Sequence, residues 1–263
     1  MAEWINGIRY IYRSIANMKT NFFKILAAGT LAVLLSFTFI QKKTKLYIIG
    51  DSTAANKEEK AFPETGWGMA LQAYFKTDVM VDNRALNGKS TKSFRAEKRW
   101  DPILAQLNPG DYVFIEFGHN DEKVDKPTVG VSLADFKINL VNYVKETRNK
   151  KAFPVLLTPI SRRSFKNGVL MDTHGDYPRI TRQVADSLGV PLIDMLVKTE
   201  SLLNRLGEES SIKLFNHVDS GNVNYPNGKK DNTHLSPEGA KQIAGLVIKG
   251  IKELKLSLVK GLK

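Results

Sequence analysis

Five short strand-like runs alternate with helical stretches along most of this chain, and that alternation restricts it to a small set of folds. The runs are Leu46 to Ile49, Val79 to Asp82, Tyr112 to Phe117, Phe153 to Leu157 and Pro191 to Ile193. Helical patterns fall around Gly68 to Phe75, Pro102 to Leu107, Leu133 to Arg148, Tyr177 to Leu188, Met195 to Leu206 and Pro237 to Leu254. Strands that are apolar without alternation are buried on both faces, as in a parallel sheet covered by helices. The expectation is an α/β fold: a three-layer α/β/α sandwich around a five-stranded, mostly parallel sheet with right-handed crossovers. Ser236 and Pro237 read as the N-cap and first position of the last helix. The stretch "FNHVDSGNVNYPNGKKDNTHLSP" is too polar and turn-prone to be an element, and is expected to be a surface loop.

Ahead of the first strand, Ile25 to Ile40 reads "ILAAGTLAVLLSFTFI", uncharged throughout, with Lys19 and Lys24 before it and "QKKTK" after. A basic region followed by an apolar one is the form of an export signal. The run is short for a span, which takes about 20 residues. Residues 1–40 are therefore read as an export signal or N-terminal membrane anchor, and 41–263 as one catalytic domain. The protein is expected to be exported, either periplasmic or secreted, and to meet a membrane only through the N-terminal segment if it is uncleaved.

Composition removes several chemistries. The chain has no Cys, which excludes disulfides, thiolate zinc sites and thiol catalysis. Net charge is +12; residues 1–40 hold four basic residues against Glu3, so +9 belongs to the remainder. A surplus of that size favours a polyanionic partner. No nucleic-acid module is legible, so nucleic acid is not expected, which leaves anionic lipid, an acidic polysaccharide or a plain solvated basic surface.

In an open parallel sheet, ligands bind beyond the carboxyl ends of the strands. Three polar segments sit there: "GDST" at 50–53, "NRALNGKS" at 83–90 and "FGHND" at 117–121; a fourth, "DNTHLSP" at 231–237, precedes the last helix. Acyl transfer needs a hydroxyl, a base in reach of it, an orienting acceptor for the base and fixed donors for the oxyanion. Ser52 supplies the hydroxyl. Asp231 and His234, three apart in a turn or helical entry, can face one side. The oxyanion donors are the Ser52 N–H, Gly88, whose missing Cβ permits close approach, and the Asn120 amide. With no G-x-S-x-G elbow, an α/β-hydrolase is disfavoured.

These four segments, in this order, resemble the SGNH (GDSL-type) hydrolases. The detail of "GDSTAA", "GWGMALQAYF", "NRALNGKSTKSF", "NPGDYVFIEFGHND", "TPISRRSF" and "DNTHLSPEGA" is closest to the rhamnogalacturonan acetylesterases, over roughly residues 45–250. The resemblance implies a flavodoxin-like SGNH fold, Ser52 as nucleophile, His234 as base, Asp231 as orienter, and Ser52, Gly88 and Asn120 as the oxyanion hole. It implies a serine esterase removing O-acetyl groups from a plant cell-wall polysaccharide such as pectic rhamnogalacturonan. An esterase for acetylated xylan or a lipid ester, and a non-catalytic carbohydrate-binding protein, are the alternatives.

Other residues have weaker readings. Asp51 reads as a turn residue accepting backbone N–H bonds. His119 can orient Asn120 or touch substrate. Arg162 and Arg163, beyond the fourth strand, suit a uronate carboxylate through their planar fork, and His174 is a further candidate contact. His217 is expected to be solvated. Trp67 and Trp100 are sugar-stacking or core residues. Asp121 with Asp231 lacks a closed donor set, so no metal and no cofactor are expected.

Overall fold

The computed structural model describes residues 43–263, together with Trp4, Gly7, Tyr12, Arg13, Ser14 and Met18. The export or anchor segment predicted at 25–40 lies outside the described residues. Among the described residues no helix is long and apolar enough to cross a membrane.

Five strands, β1 (Thr44–Gly50), β2 (Val79–Asn83), β3 (Tyr112–Glu116), β4 (Phe153–Leu157) and, after a small β5–β6 hairpin (Phe165–Lys166, Val169–Leu170), β7 (Leu192–Ile193), form the central sheet. Its order is β2-β1-β3-β4-β7, and every pairing is parallel. Chain order reverses at β1: β2 lies on one side and β3 on the other. A crevice therefore opens between the carboxyl ends of β1 and β3, where such sheets hold their ligands.

Side chains alternate across this sheet, and both faces are dry. Leu46, Ile48, Phe114 and Val155 face one helix layer, packing with Leu71 of α1 (Trp67–Leu71), Leu202 of α6 (Met195–Ser211) and Ile243, Val247 and Ile251 of α7 (Pro237–Glu253). Tyr47, Ile49, Val113, Ile115 and Leu156 face the other. That layer holds α3 (Asp101–Gln106), α4 (Leu133–Asn149) and α5 (Tyr177–Leu188) through Ile103, Phe136, Leu140, Val144, Ile180 and Val184. The expected three layers are thus present. Ser236 caps α7 by accepting the Gly239 N–H at 3.0 Å, with Pro237 at the first position.

Two expectations are corrected. The polar stretch before α7 is a β-hairpin, β8 (Phe215–Ser220) with β9 (Asn227–Leu235), whose register shifts between Phe215 and His217. It has no apolar face to announce it; the antiparallel ladder carries it. The sequence reading also passed over α2 (Thr91–Ala96), which Ser90 and Ser93 start with a reciprocal capping box.

Candidate active site

At the carboxyl end of β1 the chain must turn sharply beside β3. A Cβ at Gly50 would lie 2.5 Å from the Glu116 carbonyl oxygen, so only glycine permits that approach. Asp51 then holds the turn: its Oδ1 accepts the Thr53 N–H and the Thr53 hydroxyl, both at 2.9 Å. Ser52 is left half-buried, with its Oγ 2.9 Å from His234 Nε2.

Asp231 and His234 arrive together on β9 rather than in a helical entry. A local turn sets their geometry. Asp231 Oδ1 accepts the N–H groups of Thr233 (2.8 Å) and His234 (3.0 Å), leaving Oδ2 for His234 Nδ1 at 2.8 Å. Burial opposes ionisation of Asp231, but hydrogen bonds from His234 and Thr233 hold its carboxyl well below the usual range. An ionised Asp231 at Nδ1 makes that nitrogen the donor, so Nε2 is the acceptor facing Ser52. The three residues thus have the geometry that a hydroxyl, a base and its orienter require.

Glu64, Asp231 and His234 place donor atoms within 4.8 Å of one another, close enough for a cation. The Lys229 ammonium takes that role electrostatically: it lies 3.5 Å from Glu64 Oε2 and 3.3 Å from Asp231 Oδ2. Both ring nitrogens of His234 are also engaged, by Asp231 and Ser52.

Facing Ser52 across the crevice is the loop after β2. Gly88 has φ +74°, a left-handed conformation, and the backbone N–H groups of Ser52 and Gly88 have no backbone acceptor among the described residues. Asn120 contributes from beyond β3. Its Nδ2 donates one hydrogen to the Lys89 carbonyl (3.1 Å), while Lys123 Nζ donates to its Oδ1 (2.7 Å), which fixes the amide orientation. One Nδ2 hydrogen is therefore free of those two contacts. These are the donors an oxyanion requires.

Lys57 fastens the two sides of the crevice, and nothing in local sequence marks it for this. Its nearly fully buried ammonium donates to the Ser52 carbonyl (2.5 Å) and Asn87 Oδ1 (2.8 Å), and pairs with Glu64 Oε1 at 2.8 Å. Removing one partner of a buried pair leaves the other without compensation. Lys57→Met should lower stability by about 3 kcal/mol, a fall in Tm of roughly 6–12 °C, by thermal unfolding.

Behind the serine lies a layer of buried ionisable groups. His119 Nδ1 is 3.3 Å from Asp51 Oδ2, and its ring meets that of His174 edge-on, centroids 4.6 Å apart. Burial pushes His119 down to about 4, against the pull of Asp51. Asp51 is held low despite its burial, by the contact with the His119 ring and by the Thr53 donors. Glu116, in the middle of the sheet, goes the other way: burial and the Asp51 charge raise it, against the Trp67 indole donating to Oε2 at 2.7 Å. Burial likewise pushes Asp121 up to about 7, against two hydrogen bonds from Thr91.

The four expected substrate contacts have quite different surroundings. His174 is buried, bonded to Glu122 Oε2 and to the Ile160 carbonyl, each at 2.9 Å. His119 is buried beside it. Arg163 is 7% exposed and committed to the fold: it donates to the Glu208 carbonyl, Ser211 Oγ and Asn232 Oδ1. That grip follows the kink of α6, where Gly207 has φ 75°. Arg162 pairs with Glu122 and stays partly exposed. Both arginines line a cavity of about 270 Å³ with Phe165, Thr173 and Asn232, the residue after Asp231. His217 Nε2 donates to Asn232 Oδ1 at 2.8 Å rather than being purely solvated. Trp67 and Trp100 are fully buried, so neither stacks on a sugar, and Trp100 donates to Glu146. A Cβ at Gly68 would meet Asn83 Nδ2 at 2.5 Å, so glycine lets that helix approach β2.

Comparison with known proteins follows this geometry. The chain is 38% identical over 221 residues to the rhamnogalacturonan acetylesterase RhgT of Bacillus subtilis, covering 83% of this chain and 94% of that one. It is 26% identical to a rhamnogalacturonan acetylesterase of Emericella nidulans, covering 78% of this chain and 84% of the other. Among solved structures, the Bacillus subtilis protein YxiM superposes with a TM-score of 0.71 at 25% identity, over 82% of this chain and 58% of that one. A catalytic mutant of the acetylxylan esterase Axe2 of Geobacillus stearothermophilus superposes at 0.57 with 22% identity, over 79% and 94%. The model of the GDSL-like lipase/acylhydrolase family matches residues 48–242, and the chain belongs to that family as a carboxylic ester hydrolase, an SGNH acetylesterase.

Proposed function

We propose that the chain is an exported esterase that removes O-acetyl groups from rhamnogalacturonan, with Ser52 as its nucleophile. The observation that carries the reaction is the unbroken Ser52–His234–Asp231 chain, with links of 2.9 and 2.8 Å at the sheet's switch point. Ser52 Oγ attacks the acetyl carbonyl carbon while His234 Nε2 takes the hydroxyl proton. The oxyanion is met by the N–H groups of Ser52 and Gly88 and by Asn120 Nδ2. On collapse the C–O bond to the sugar breaks, and His234 returns its proton to the departing sugar oxygen. Water, deprotonated by His234, then attacks the acetyl-serine, and acetate leaves as Ser52 recovers its proton.

For the substrate, support comes from the similarity to rhamnogalacturonan acetylesterases over most of the chain and from the cavity that holds Arg162 and is lined by Asn232, the neighbour of Asp231 in sequence. Part of the Arg162 charge is compensated by Glu122, whose carboxyl the His174 hydrogen bond and the Arg162 guanidinium hold below the usual carboxylate range despite burial. A uronate carboxylate would approach Arg162 from the open side of that cavity. Export is supported by the apolar run at 25–40 with its basic flanks.

Acetate release from acetylated rhamnogalacturonan and from acetylated xylan tests the assignment. Release from the pectic polymer at a higher kcat/KM is the expected result; preference for xylan would reassign the substrate. Asn120→Ala should reduce kcat about 10²–10³-fold with little change in KM, because its donor acts on a charge that develops only in the transition state. An effect on KM alone would make Asn120 a binding residue.

A further inference from the structure

All five sheet strands are parallel, so their amino ends share one edge, opposite the active site. That edge is cationic. Lys43 precedes β1; Lys150 and Lys151 follow α4; Lys255 follows α7; Lys260 and Lys263 lie beyond it; all six are exposed. Backbone bonds tie the segments of Lys151, Lys260 and Lys263 to the edge: Gly110 N–H to the Lys151 carbonyl (3.0 Å), Lys76 N–H to the Gly261 carbonyl (2.8 Å) and Lys263 N–H to the Tyr74 carbonyl (3.0 Å). Carboxylates there do little to offset them. Asp111 is buried and accepts the Lys45 and Asn108 N–H groups, Asp78 is half-buried, and Glu253 is paired with Lys198; Asp186, in the last turn of α5, is exposed.

Large apolar side chains stand among these cations. Phe153, at the start of β4, is 51% exposed, Val259 39% and Leu254 37%. Beside Phe153 opens a cavity of about 500 Å³, lined with Tyr112, Arg148, Lys151 and Leu256. Cations ringing exposed apolar groups are the composition of a face that rests on anionic lipid. The covalent chain points the same way. The apolar run ends at Ile40, and β1 begins at Thr44, so no more than roughly 14 Å of chain separates that run from this edge.

We infer that the amino edge of the sheet is a docking face for an anionic membrane surface, which holds the active site outward. This rests on the reading of residues 25–40 as an uncleaved anchor. Ser52 lies one strand length beyond the edge, about 20 Å from the lipid, and its crevice opens away from it. Anchor and docking face together would set orientation: the anchor keeps the enzyme at the membrane, and the cationic edge prevents it from tumbling so that the crevice meets polymer rather than lipid.

The absence of Cys makes the test clean, because one introduced thiol can be labelled alone. Full-length protein carrying Phe153→Cys, labelled with an environment-sensitive nitrobenzoxadiazole, is mixed with vesicles of phosphatidylcholine with and without phosphatidylglycerol. A second protein carries the label through Val223→Cys, in the 89% exposed turn of the β8–β9 hairpin. The expected result is a gain and blue shift of emission at 153 on phosphatidylglycerol vesicles only, none at 223, and loss of the gain in 0.5 M salt, where the Debye length is about 4 Å. Lys150→Glu with Lys260→Glu should abolish the gain while leaving hydrolysis of a soluble chromogenic acetate and the Tm unchanged; Lys43→Glu with Lys263→Glu should do the same if the first pair fails to fold.

Vesicle flotation of the unlabelled full chain separates the two readings. Flotation on zwitterionic vesicles with a silent label at 153 on anionic ones keeps the anchor and overturns the docking face. No flotation on zwitterionic vesicles, with a responsive label on anionic ones, removes the anchor and keeps the face. A label that answers to soluble polygalacturonate but not to vesicles overturns the inference in favour of a glycan surface.

Discussion

Replacing Ser52 with Ala should reduce kcat on an acetyl ester by about 10⁵–10⁶-fold while leaving the fold intact. The size follows from how the reaction is divided. Without the hydroxyl there is no acetyl-enzyme, and His234 has no proton to take in the first step. What remains is direct attack by water on an ester held by the oxyanion donors, which is worth far less. The fold survives because Ser52 Oγ bonds only His234 among the described residues, whereas the turn is held by Asp51, Thr53 and Lys57. Steady-state kinetics with a chromogenic acetate, alongside the melting temperature, checks both halves. Residual activity within about tenfold of wild type would mean that another group is the nucleophile.

The second large effect is expected at Asp231. Asp231→Asn should lower kcat about 10⁴-fold, with KM nearly unchanged. The reason is a tautomer. Asp231 Oδ1 already takes two backbone N–H groups, from Thr233 and His234. An asparagine there must keep its oxygen in that position, which turns its NH₂ toward His234 Nδ1. Nδ1 then becomes an acceptor, the ring proton moves to Nε2, and Nε2 can no longer receive the proton of Ser52. Neither the hydroxyl nor the ring is displaced. A loss of only two- or threefold would show that Asp231 anchors the hairpin and does not set the state of the base. Nuclear magnetic resonance of the ring protons would report the tautomer independently.

Sequence patterns located the sheet and the residues that meet at its switch point, because both are written locally. Uninterrupted apolar runs mark strands buried on two faces, and Ser52, Gly88, Asn120 and Asp231–His234 each sit next to such a run or a helix cap. The β8–β9 hairpin was not legible for the opposite reason: its burial is partial and follows no period of two, so its polar residues look like those of a loop. Lys57 and Arg163 were misjudged or missed because their partners are distant in sequence. Lys57 reaches Asn87, and Arg163 reaches Glu208 and Asn232. One signal was available and unused. Glu116 interrupts the apolar run "YVFIEF", and a carboxyl buried in a central strand needs a dedicated partner; the Trp67 indole is that partner.

Buried charge also explains why the site is built on a rigid floor. Asp51, Glu116, His119 and Asp121 are all fully or nearly fully buried behind Ser52 and Asn120. The shifts oppose one another: Asp51 is held low despite its burial, while burial and the Asp51 charge raise Glu116. For Glu116 the native state binds more protons than the unfolded chain above the ordinary glutamate range, so its share of stability is present at acid pH and is lost as pH rises towards its elevated value.

The most direct test of the account is covalent. Wild-type protein treated with a p-nitrophenyl phosphonate ester should lose activity in proportion to the incorporation of one phosphonyl group, and peptide mass spectrometry should place that group on Ser52. The label should be absent when His234 is replaced by Ala. Inactivation with the label on another residue, or full activity with Ser52 labelled, would contradict the assignment of Ser52 as the nucleophile of this esterase.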